Sequence, residues 1–256
     1  MTSIATLTHI VGTGPVRVLA LHGWFGSAHA WKPLADLLDP DHFSVAYLDY
    51  RGYGARLHET GEYTLDEIAA DTLQLADELG WQRFHLMGHS MGGKAIVRTL
   101  VAAPERVGRL LAITPVPASA VPFDDVTWAL FSGAANDIGA RRAIVDHSTG
   151  SRLSKRWIAA LADHSWSQST PQAFGAYLTA WAQTDFAARA AGIDTPMHVV
   201  VGEHDPSLTA ELMQATTMRW FPRAALEVMR GAGHYPAEET PIALATIVEK
   251  VFAVAA

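Results

Sequence analysis

The stretch Phe84-His85-Leu86-Met87-Gly88-His89-Ser90-Met91-Gly92-Gly93 governs the reading of this chain. A short apolar run, Phe84 to Met87, ends in the pattern G-x-S-x-G, and a helix-like segment follows from Gly93 to Ala103. A strand that turns straight into a helix leaves no room for side chains at the turn's flanks, so glycine stands on both sides. The serine hydroxyl is then held out at the strand end, where a nucleophile is placed. The N–H of the next residue, Met91, points toward charge developing on a substrate oxygen, with the positive end of a helix behind it.

Similar apolar runs lie on both sides of this stretch. Val16 to Leu21 and Phe43 to Leu48 precede it; Leu110 to Ile113, Met197 to Val201 and Leu226 to Met229 follow. Each is short, nearly continuous in hydrophobicity and bounded by polar residues or glycine, which is the pattern of strands covered on both faces. Helical periodicity fills the gaps. Thr64 and Glu67 fit a capping box, after which Leu65, Ile68, Thr72, Leu75 and Leu79 recur at helical spacing until Gly80. Thr240-Pro241 opens a last helix whose apolar face is expected at Ile242, Ile247, Val251 and Val254. Strands alternating with helices predict a parallel sheet in an α/β fold.

The alternation breaks once. Residues 118–191 show no β run, only helix-like stretches at Asp124 to Phe131, Ala140 to Val145, Lys155 to Leu161 and Gln172 to Trp181. Four of the chain's eight tryptophans, Trp128, Trp157, Trp166 and Trp181, fall in this segment. It is expected to be a helical cap on a core made of residues 1–117 and 192–256. Trp128, Trp157 and Trp181 are expected to line a substrate cavity beneath it.

A serine hydroxyl needs a base, and the base needs an orienting acid. Asp205 follows the run ending at Val201, and His234 follows the run ending at Met229. In a parallel sheet the ends of successive strands share one edge, where ligands bind. Ser90, Asp205 and His234 are therefore expected to meet there as nucleophile, acid and base. Glu203 is the alternative acid and His204 the alternative base. The second oxyanion donor is expected in the loop His22-Gly23-Trp24-Phe25-Gly26, at the Trp24 N–H, with the Trp24 and Phe25 side chains facing substrate. His22 and His89 are read as loop supports.

His22-Gly23-Trp24, Asp49-x-Arg51-Gly52-x-Gly54, Gly88-His89-Ser90-Met91-Gly92-Gly93, Gly202-x-x-Asp205 and Gly233-His234 together resemble the α/β-hydrolase superfamily. The resemblance implies a mainly parallel eight-stranded sheet flanked by helices, a helical cap and a Ser90–His234–Asp205 triad. Ester attack needs only these parts, and no Walker-type loop, G-x-G-x-x-G or H-E-x-x-H occurs, so no metal or organic cofactor is expected. Haloalkane dehalogenases and epoxide hydrolases of the same superfamily carry aspartate at the elbow, so serine here argues against both. Hydrolysis of a small or medium carboxylic ester is the leading expectation. C–C bond hydrolases, lactonases, amidases and acyltransferases use the same parts, and some relatives are small-molecule receptors.

Composition narrows the rest. The chain of 256 residues has 49% hydrophobic and 18% charged residues, suited to a substantial core. A net charge of −7 without a basic run gives no footprint for nucleic acid or an anionic membrane. With no cysteine, thiolate catalysis and disulfides are excluded. Residues 1–13 lack the form of a signal peptide, and no run of about 18 apolar residues occurs. A soluble cytoplasmic protein with a small-molecule substrate is expected, its oligomeric state left open.

Overall fold

Six of the seven strands grow from the apolar runs. A computed structural model describes residues 3–252 of the chain; Val254 and the first two residues, part of the segment read for a leader, lie outside it. The strands are β1 (His9–Val11), β2 (Val16–Leu21), β3 (Phe43–Leu48), β4 (Phe84–His89), β5 (Val107–Ile113), β6 (Met197–Gly202) and β7 (Ala224–Met229). They form one sheet in the order β1-β3-β2-β4-β5-β6-β7. Every pair is parallel except β1 with β3.

The described residues thus hold seven strands where the resemblance implied eight. The one that the runs did not reveal is β1, a three-residue edge strand with His9 and Ile10 exposed. Too little of it is buried to leave an apolar signature. The inner strands are covered on both faces. On β2, Leu19 and Leu21 enter one apolar cluster, while Val18 and Ala20 enter the other. Alternation therefore shows as burial on both sides and not as a polar–apolar stripe.

The helix Leu65–Glu78 starts where Thr64 Oγ1 accepts the Glu67 N–H at 3.1 Å. The Glu67 carboxylate reaches past the cap to the N–H groups of Tyr63 and Glu62, at 2.9 and 3.1 Å. The closing helix Pro241–Phe252 buries Leu244, Ile247, Val248 and Phe252, but Ile242 is 74% exposed. Ile242 precedes Ile247 by five residues, which is about 140° around the helix from it, so the two cannot share a face.

Between β5 and β6 the described residues contain helices Asp125–Gly133, Ile138–Ser148, Lys155–Ser167, Pro171–Gln183 and the short Ala187–Ala190. The first four begin at Asp124, Asp137, Ser154 and Thr170, whose side-chain oxygens each accept an N–H of the first turn. The segment leaves and rejoins the core through a narrow neck. Val121 N–H donates to Ala182 O at 2.8 Å, and Phe186 N–H to Ala118 O at 3.0 Å. Lys94, buried on the helix Met91–Ala102, pins this neck by donating to the carbonyls of Ser119, Trp181 and Thr184 at 2.8, 2.8 and 2.6 Å. Among the described residues, no helix is long and apolar enough to cross a membrane.

Candidate active site

Ser90 sits between β4 and the helix Met91–Ala102 with φ 55° and ψ −116°, backbone angles that L-residues rarely adopt. Such a conformation costs on the order of 1–3 kcal/mol and persists only where the surroundings enforce it. They do so here by closeness. A Cβ on Gly88 would collide with the Gly92 carbonyl, and one on Gly92 with the Leu21 carbonyl. The Ser90 N–H donates to Ile113 O at 2.9 Å, and its carbonyl accepts from Val116 N–H at 3.0 Å. The turn is thus tied to the end of β5.

The loops after β6 and β7 bring the other two residues to the same sheet edge. His234 Nε2 lies 3.0 Å from Ser90 Oγ, and His234 Nδ1 lies 2.6 Å from Asp205 Oδ2. Asp205 Oδ1 accepts the N–H groups of Ser207 and Leu208 at 2.9 and 3.0 Å. Burial by itself would raise the Asp205 carboxyl. The facing His234, its hydrogen bond and the two N–H donors outweigh burial and hold it below the usual carboxylate range. The alternatives are placed elsewhere. Glu203 accepts the Gly231 N–H, and the exposed His204 side chain lies beside Glu203.

Four hydrogen bonds hold the histidine in place. Its carbonyl accepts from His89 Nε2–H at 2.6 Å and from Thr114 Oγ1–H at 3.0 Å. On both sides of it, the Gly233 and Tyr235 N–H groups donate to the Glu239 carboxylate at 2.8 and 2.9 Å. Glu239 is also paired with Arg152, which comes from the helical segment. Sequence reading missed Glu239, Thr114 and Arg152. An acid five residues after a histidine carries no motif, and only the folded loop shows its use.

His22 and His89 both serve the loops. His22 Nδ1–H donates to Gly23 O at 2.8 Å, and its carbonyl accepts from Tyr50 OH at 2.7 Å. Burial pushes the His22 ring below its ordinary value against the pull of Asp49. Burial, aided by His234, lowers His89 to about 3, so it stays neutral. Asp49 accepts the N–H groups of Ala28 and Ala55, which makes the Asp49–Gly54 turn a structural joint. Among the described residues, the N–H groups of Trp24 and Met91 have no protein acceptor.

A cavity of about 410 Å³ opens over Ser90 and His234. Trp24, Phe25, Phe123, Phe131 and Trp181 give it an aromatic wall, while Ser119, His147, Ser148 and Ser207 add polar groups. Trp24 is fixed by its indole N–H donating to Phe174 O at 2.8 Å and by stacking on the Phe174 ring at 4.1 Å. Of the tryptophans expected from the helical segment, only Trp181 reaches the cavity. Trp128 packs on Phe123 at 6.1 Å between ring centroids, and Trp157 meets the edge of Tyr235 at 5.8 Å. Trp166 is 40% exposed, with the Arg141 guanidinium over its ring. Phe123 and Phe131 take the places expected for Trp128 and Trp157. Aromatic content was legible, but the rotation of each helix about its axis was not.

A family model described as alpha/beta hydrolase fold matches residues 16–241. The chain belongs to the α/β-hydrolase fold family. Esterase YbfF of Escherichia coli (strain K12) is 25% identical over 235 residues, covering 89% of each chain. A fluoroacetate dehalogenase of a Burkholderia species is 32% identical over 126 residues, 47% of this chain and 41% of that one. The chain spans less than half the length of several curated relatives that it matches. A solved hydrolase from Oleispira antarctica superposes with a TM-score of 0.86 at 20% identity, covering 97% of this chain and 94% of that one. At that identity the likeness is one of fold.

Proposed function

We propose that this protein is a serine hydrolase that cleaves a small or medium carboxylic ester through an acyl-enzyme on Ser90. One observation carries the reading: the Ser90 Oγ, His234 and Asp205 contacts of 3.0 and 2.6 Å open onto an aromatic cavity. His234 Nε2 takes the hydroxyl proton as Ser90 Oγ attacks the carbonyl carbon. Asp205 fixes the Nδ1–H tautomer and stabilises the imidazolium. The oxyanion forms against the Trp24 and Met91 N–H groups, which have no other acceptor among the described residues. His234 then returns the proton to the departing alcohol, and water releases the acid by the same steps.

Serine at the elbow disfavours the reaction named for the Burkholderia relative, for the reason given by the superfamily resemblance. The full-length similarity to an enzyme named an esterase points the same way as the site. Labelling with a fluorophosphonate should place one adduct on Ser90, located by mass spectrometry. A chain-length series of chromogenic acyl esters should show turnover with an optimum set by the cavity. An adduct on another serine, or lactones or amides turned over faster than every ester, would displace this assignment.

A further inference from the structure

On the far side of His89, which packs against the catalytic histidine, lies a second, much smaller space. It measures about 20 Å³, and a single water needs roughly 10–15 Å³. It shares Phe25, His89 and Tyr235 with the wall of the substrate cavity. On its far side it shares Ala30, Leu161 and Glu238 with a surface groove of about 490 Å³ between the Ala28–Trp31 turn and the helix Lys155–Ser167. Through these shared residues the chamber adjoins the substrate cavity on one side and the surface groove on the other.

The small chamber is lined with polar groups that lack protein partners. His89 donates through Nε2 to His234 O, so the Nδ1 of its neutral ring is left as an acceptor. Trp31 lines the chamber with a buried indole N–H that has no acceptor. The Glu238 carboxyl has no hydrogen-bond or ion-pair partner among the described residues, and burial pushes it up to about 7. A buried water is held where two to four polar groups converge, and these three supply both donors and acceptors. Left dry, the Trp31 N–H would carry the full cost of an unsatisfied buried polar group.

We propose that this chamber is a water passage, gated by Phe25 and Tyr235, that delivers the hydrolytic water to the acyl-enzyme from the His89 side. The inference rests on the ester-hydrolase reading above. While the acyl group fills the aromatic cavity, water arriving from the front would have to pass it. From the His89 side, the water oxygen attacks the acyl carbonyl carbon as its proton passes to His234 Nε2. That proton then moves to Ser90 Oγ as the acyl C–O bond breaks and the free acid leaves.

Narrowing the passage should therefore slow deacylation and spare acylation. Two substitutions narrow it from different elements: Ala30→Phe on the turn and Leu161→Phe on the facing helix. With p-nitrophenyl butyrate in a rapid-mixing instrument, the burst reports acylation and the steady state reports deacylation. Intact mass gives the acyl adduct on Ser90, and added n-butanol, too large for the chamber, competes with water from the front. In each variant that keeps its melting temperature, the burst rate should stay within about twofold while the steady rate falls about fivefold or more. The acyl adduct should accumulate, and the share of acyl groups transferred to butanol should rise by a similar factor. Burst and steady rates that fall together, or a steady rate unchanged in both variants, overturn the passage and leave the hydrolase standing. If the unaltered protein forms no adduct on Ser90, the hydrolase reading fails and this inference fails with it.

Discussion

The strand-end loops and the helical segment meet at one cavity, but they are built on different constraints. Ser90, Asp205 and His234 follow β4, β6 and β7, and sheet register fixes where those strands end. Once the order of strands is known, the edge on which these loops gather is known too. The helical segment has no such register. Each of its four main helices has a capped start, yet which side chain turns inward depends on packing against its neighbours. Four tryptophans in one segment gave an aromatic signal, and a single one, Trp181, reaches the cavity. A loop on a sheet edge can thus be placed from spacing, whereas a helix in a separate layer can be placed only to its boundaries.

The sharpest way to break this comparison is at the core. Ser90→Ala should lower kcat for an acyl ester by about four orders of magnitude or more, with the melting temperature unchanged or raised by relief of the strained turn. A residual rate within about tenfold of the parent would remove the strand-end site from consideration. Asp205→Asn should cost about two to four orders of magnitude, because His234 loses the acceptor that sets its tautomer. Glu203→Gln should change kcat by less than about threefold, since Glu203 faces the Gly231 N–H and His204 rather than His234. A reversed pair of results would mean that the loop after β6 was assigned to the wrong acid.

Smaller effects test the helical layer. Trp181→Ala should shift the acyl chain-length optimum, changing kcat/KM between neighbouring substrates by about 1–3 kcal/mol per methylene-scale change in fit. Trp128→Ala, Trp157→Ala and Trp166→Ala should leave the profile's shape unchanged, and the first two should lower the melting temperature. If Trp128→Ala or Trp157→Ala reshapes the profile, the cavity in solution is wider than its aromatic wall suggests.

The smallest expected effect joins the two regions at Glu238. Its carboxyl is raised from an ordinary value near 4.5 to about 7, so the native chain holds a proton that the unfolded chain has released. Stability from this group is complete below pH 4.5, falls as the pH rises and is lost above 7. Glu238→Gln never ionises. It should match the parent in urea melts below pH 4.5 and exceed it by about 1–2 kcal/mol above pH 7, allowing for partial exposure. Equal midpoints across pH 4–9 would show that Glu238 keeps its ordinary proton affinity in the native state.

Much of the fold and site was legible because the relevant signals are local. The bounds of β2 and β3 match their apolar runs, since their ends are set by a neighbouring proline or polar residue. The glycines around Ser90 reported a close approach of backbone before any partner was known. The edge strand β1 stayed hidden because its two exposed residues carry no burial signal, and Ile242 misled because its spacing to Ile247 fits no single face.

The sequence by itself determined an alternating α/β core, a strained serine turn, and an acid and a base in the order and positions that let them follow strand ends. Tertiary structure alone decided that Asp205, not Glu203, faces His234, and that Glu239 and Arg152 hold the histidine loop. It also decided that Lys94 pins the neck and that Phe123 and Phe131 stand where Trp128 and Trp157 were expected. The physical reason is range. Backbone strain, capping and burial periodicity act within a few residues and leave their mark on the sequence. Hydrogen bonds and packing between elements a hundred residues apart are set by how layers rotate and settle on one another, which no local pattern records.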